Sequence, residues 1–146
     1  MNTKRQSKNN IQVRSFLKSW LPTFLWIIVV CYLSLTDSGL PKINFRFILE
    51  SDKIAHIGIY FILTVLLMRS WAIVIPGITP VYLFLLASLQ AISFGIVMEI
   101  LQKLLTHTRH FDKQDIYANI GGAIVGAIIY LLYNKWFKRS SSETRA

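Results

Sequence analysis

Four long apolar runs, separated by short polar stretches, dominate this chain of 146 residues. The first extends from Trp20 to Leu35 and is interrupted by Thr23 and Ser34. The second, Ile54 to Ile75, contains His56 and Arg69; the third, Pro80 to Leu105, carries Glu99 and Gln102 near its end. The fourth, Ile116 to Phe137, carries Asn119 near its start. A bilayer core about 30 Å thick is crossed by roughly 20 mostly apolar residues in a helix. Backbone groups inside hydrocarbon must satisfy one another, so each run predicts a transmembrane helix. The expected fold is all-α, a polytopic bundle of four transmembrane helices over residues 20–137, with tails at 1–19 and 138–146. Pro22 is expected in a first helical turn, where its missing N–H matters little. Pro76-Gly77 and Pro80 punctuate the second join. There is no internal repeat and no low-complexity block.

Composition agrees with this pattern. Charged residues make up 16% of the chain, against about a quarter in soluble domains. The charges also cluster, leaving little chain for a soluble domain. Lys4, Arg5, Lys8, Arg14 and Lys18 crowd the first tail, and Lys135, Lys138, Arg139 and Arg145 the last, and Arg69 is assigned to the short middle loop. The positive-inside rule then predicts both tails and that loop in the cytoplasm, as an even number of spans requires. The loops around 36–53 and 103–115 face outward, and six of the seven acidic residues lie in or beside them. Topology thereby accounts for the net charge of +9, and no nucleic-acid partner is expected. No small-x-small site follows the first run, which predicts an uncleaved signal anchor. The lone Cys31 reads as a small buried apolar side chain.

Polar groups recur at helical spacing near the outer ends of the spans. Asp52, His56 and Tyr60 stand four apart and share one helical stripe. Glu99 and Gln102 stand three apart on one face of the third helix. A carboxylate two turns inside a span must be neutralised by a proton, a cationic partner or water. Entering the fourth helix, Arg109 precedes Asp112, Asp115 and Asn119, and then Gly122 and Gly126. The two aspartates suit a helix N-terminus. The two glycines form a small-xxx-small seam for helix packing, with Gly121 and Ala123 widening the smooth surface. Topology therefore gathers Asp52, His56, Glu99, Gln102, Arg109, Asp112, Asp115 and Asn119 at one membrane face as a candidate binding cluster. His107 and His110 share a face, and His56, Glu99 and Asp112 lie near enough in the topology to add ligands. There is no H-E-x-x-H or paired-cysteine motif, so no metal and no cofactor are assigned.

These blocks together resemble the VanZ-like family of bacterial membrane proteins. That pattern has Asp-Lys-x-x-His opening the second helix, matched by Asp52, Lys53 and His56, with Tyr60 beyond. It has an acid and a nearby Gln in the third helix, matched by Glu99 and Gln102. It has Arg-x-x-Asp-x-x-Asp-x-x-x-Asn-x-x-Gly-x-x-x-Gly at the fourth, matched by Arg109, Asp112, Asp115, Asn119, Gly122 and Gly126. The match covers roughly residues 24–133; the stretch Lys103 to Thr108 lacks the Pro-Gly turn often seen there. The resemblance implies the bacterial inner membrane and a cell-envelope role, such as lower sensitivity to teicoplanin-type glycopeptide antibiotics. It brings no defined reaction.

Three functions remain open on the residues. The cluster can bind an anionic envelope lipid or lipid-linked cell-wall precursor, with Arg109 on the anion. It can act as an enzyme on such a molecule, with Glu99 or His56 as catalytic acid or base. Transport is least expected, because the inner halves of the helices read as almost wholly apolar. Neither G-x-S-x-G nor a P-loop is present.

Overall fold

The structure, a computed structural model, describes residues 3–36, 51–106 and 112–143, with side chains described for 16–36, 53–106 and 112–137. Four helices follow one another: α1 (Thr3–Leu35), α2 (Ser51–Val74), α3 (Pro80–Leu105) and α4 (Lys113–Glu143). Each contains a segment long and apolar enough to cross a membrane: Phe16–Leu35, Lys53–Val74, Pro80–Leu105 and Lys113–Phe137. The four spans lie where the apolar runs predict them.

Local chemistry sets the helix ends. Gly77 adopts a positive φ of 87° in the α2–α3 turn, a conformation open to glycine. Thr79 then caps α3 by accepting from the Tyr82 N–H, and Pro80 fills the first turn. At α4, the Asp112 carboxylate accepts from the Gln114 N–H at 2.8 Å, and Asp115 sits in the first turn. Two expectations are corrected here. Pro22 lies inside α1, because the helix starts at Thr3 and its basic, polar first turns continue into the span. Arg69 lies in α2 and not in the loop, since the helix persists to Val74.

Packing explains which faces turn inward. α2 contacts the other three helices, and its contact with α4 is the most extensive; among the described residues α1 and α4 do not meet. Small residues permit that closeness. A Cβ on Gly122 would collide with the Ile57 carbonyl oxygen, and one on Gly126 would lie 2.7 Å from that of Phe61. The two glycines, four apart, thus rest on two carbonyls also four apart, as a small-xxx-small seam requires. Gly121 meets nothing, so it lies off the seam. On α3 the inward stripe runs Leu83, Ala87, Ala91, Gly95 and Glu99 at four-residue steps. Outside, large apolar side chains such as Leu21, Ile28, Leu89, Leu132 and Trp136 are exposed. Polar side chains including Thr23, Ser70, His56, Glu99 and Asn119 are buried. That inversion of a water-soluble pattern fits a hydrocarbon surround.

Candidate functional site

At the Glu99 end of the bundle, α2, α3 and α4 each aim ionisable or amide side chains at one point. His56 is one turn into the α2 span, on the stripe that continues through Tyr60. Glu99 is about two turns from the end of α3. Asp115 and Asn119 stand four apart on the inward face of α4. All four are buried, at 7%, 1%, 8% and 2% exposure for His56, Glu99, Asp115 and Asn119.

The geometry centres on the imidazole. His56 Nδ1 lies 2.9 Å from Asn119 Oδ1, a hydrogen bond across the α2–α4 seam. His56 Nε2 lies 3.8 Å from Asp115 Oδ2, and Nδ1 lies 4.0 Å from Glu99 Oε1. Glu99 Oε2 and Asn119 Nδ2 are buried without a hydrogen-bond partner. Potential ligand atoms of His56, Glu99 and Asp115 lie within 4.8 Å of one another.

Other predicted residues stand around this centre. Gln102 donates to the Ser34 carbonyl at 3.0 Å, tying α3 to α1 beside the cluster. Asp112 is exposed at the α4 cap. Lys53 bonds Gln114, joining the starts of α2 and α4. The Asp52 side chain, Arg109, His107 and His110 lie outside the described residues. Sequence reasoning missed Gly95. A Cβ there would lie 3.0 Å from both Asn119 Nδ2 and Tyr60 Cε1, so the bare α3 backbone makes room for Asn119 to reach His56. A glycine four residues before a buried acid, in the middle of a span, was the available signal. The Ser34 carbonyl carried none, because every residue offers one.

The opposite end, expected to be the inner one, is less apolar than the sequence suggests. Thr23 and Ser70 share a hydrogen bond at 2.9 Å, and Ser70 and Arg69 both donate to the Ser19 carbonyl, at 2.9 and 3.2 Å. Ser19 lies in the turn before Pro22, one residue past the Lys18 carbonyl that the missing proline N–H leaves unbonded within the helix. Between the two ends, α1, α2 and α3 line an apolar groove of about 510 Å³ with Trp20, Phe24, Ile27, Leu63, Leu67 and Phe94 among its walls.

Four apolar helices around a buried polar centre define a multi-pass integral membrane protein. Comparison with protein-family models, curated proteins and solved structures returns no match.

Proposed function

We propose that this protein is a VanZ-like component of the bacterial cell envelope that binds an anionic envelope lipid or lipid-linked cell-wall precursor, and that it thereby lowers sensitivity to glycopeptide antibiotics. In this reading both termini are cytoplasmic and the Glu99 end faces outward. The observation that carries it is the convergence of His56, Glu99, Asp115 and Asn119 from three helices at that end, with two buried polar atoms unpartnered. Ionisable groups within spans are expensive and mark functional sites by default.

The surrounding chemistry suits an amphiphile. Lys53, Lys103 and Lys113 stand at the same ends of α2, α3 and α4 as the cluster, forming a basic rim for a phosphate or carboxylate. The apolar groove nearer the middle of the bundle accepts an acyl chain. Hydrolysis or transfer is the second reading, favoured by the unpartnered Glu99 oxygen, which could exchange a proton with a bound substrate.

Incubating the purified protein with labelled lipid-linked wall precursors separates these readings. Retention of unmodified lipid by the parent, lost in Glu99→Ala, is the expected result. A modified product would make the protein an enzyme. If nothing is retained and nothing changes, the envelope-ligand reading fails.

A further inference from the structure

We infer that His56, Glu99 and Asp115 form a binding site for one first-row divalent metal ion of the zinc class. One imidazole and two carboxylates, from three different helices, make a donor set suited to such an ion. The inference stands on the geometry of these three residues and does not depend on a lipid ligand.

Hydrogen-bond counting separates a metal from the simpler arrangement. With Nδ1–H donated to Asn119, His56 Nε2 faces Asp115 at 3.8 Å. A second ring proton would satisfy that pair without any ion. It would still leave Glu99 Oε2 buried and unpartnered, because imidazolium has no third N–H to offer. An ion at the centre engages all three residues at once and gives the buried Glu99 carboxyl the partner that its second oxygen lacks.

Distances fit the same solution. Two donors 3.8 Å apart can each lie about 2.1 Å from one ion at an angle of about 130°. Two such bonds span at most about 4.2 Å, so a cluster bounded by 4.8 Å closes by up to about 0.6 Å on loading. Asn119 then acts as a positioning residue. Its Oδ1 fixes the imidazole tautomer and ring orientation, as partners of metal-bound histidines do. A three-residue set leaves a coordination position for water or for an anionic oxygen of an incoming molecule.

The test uses full-length protein, stripped with chelator in detergent micelles and titrated with Zn²⁺ and, separately, Mg²⁺, with no lipid precursor present. One Zn²⁺ per chain, with Mg²⁺ far weaker, is expected by calorimetry and elemental analysis. Glu99→Gln and Asp115→Asn should each weaken Zn²⁺ binding at least as much as Asn119→Ala, which should cost about 10- to 100-fold. A His107→Ala/His110→Ala variant should bind like the parent. Co²⁺ loaded into the parent should show visible absorption of a four- or five-coordinate site, a readout independent of whether any variant folds. Absence of Zn²⁺ uptake by the parent overturns the site, as does uptake that survives both carboxyl changes but vanishes with His107 and His110. Metal uptake without precursor retention would sink the envelope-ligand reading alone; retention without uptake would sink the metal site alone.

Discussion

The two ends of α2 bury polar groups in opposite ways. Around Ser70, hydroxyls and a guanidinium meet carbonyls and one another, and all are neutral except the exposed Arg69. About 21 Å away along the helix, around His56, three of the buried groups (His56, Glu99 and Asp115) are ionisable, and two polar atoms, on Glu99 and Asn119, lack partners. Unpartnered groups occur toward the Ser70 end too, at Trp20 Nε1 and Ser88 Oγ, but those are an indole N–H and a hydroxyl; an unpartnered oxygen of an ionisable carboxyl occurs at Glu99. Hydrogen bonds of the first kind hold helices together; a buried carboxyl oxygen without a donor, as at Glu99, marks the place where the proposed ligand would add one. The contrast separates what builds this bundle from what the bundle presents.

The largest expected effect breaks the support that both ends share. Gly122→Leu drives a side chain into the Ile57 carbonyl and parts α4 from α2. A loss of about 3 kcal/mol or more is expected, read as collapse of folded, monodisperse yield after purification. Unchanged yield would mean that α2 and α4 do not pack through this seam. Gly126→Leu should reduce yield in the same way, since its Cβ would already meet the Phe61 carbonyl oxygen at 2.7 Å.

Next come changes confined to the charged end. Glu99→Ala, His56→Ala and Asp115→Ala should each abolish any antibiotic-protection phenotype while membrane insertion and yield persist. If all three protect like the parent, the cluster is structural, and the contrast between the ends disappears. The smallest effect belongs to the hydroxyl end. Thr23→Val and Ser70→Ala should each destabilise by about 0.6 kcal/mol, and by no more than about 1.7, in a denaturant titration, with protection unchanged. Loss of protection without loss of stability would place function at the wrong end.

Much of the fold is legible in the sequence because hydrocarbon imposes length and polarity together. Pro80 and Leu105 bound α3 both as an apolar run and as a helix. The extension of α1 back to Thr3 is not legible, because nothing in a basic, polar segment distinguishes helix from coil by hydrophobic period. At the site, His56, Glu99, Asp115 and Asn119 are readable as costly polar residues at matching depth. Which of them meet is not, because that depends on helix rotation. The carbonyls of Ile57 and Phe61 against Gly122 and Gly126 set that rotation, and Gly95 admits Asn119. Gln102 illustrates the limit: its spacing puts it with Glu99, yet its amide turns to Ser34 on α1.

The proposed binding role requires that the His56–Glu99 end open outside the cell, where envelope molecules reach it. Asp112 is exposed at that end, and Cys31 is the chain's single cysteine. A Cys31→Ala/Asp112→Cys variant can therefore be treated in intact cells with a membrane-impermeant maleimide. Labelling without permeabilisation is the predicted result. Labelling that appears only after the membrane is opened would put His56, Glu99 and Asp115 on the cytosolic side and contradict the claim.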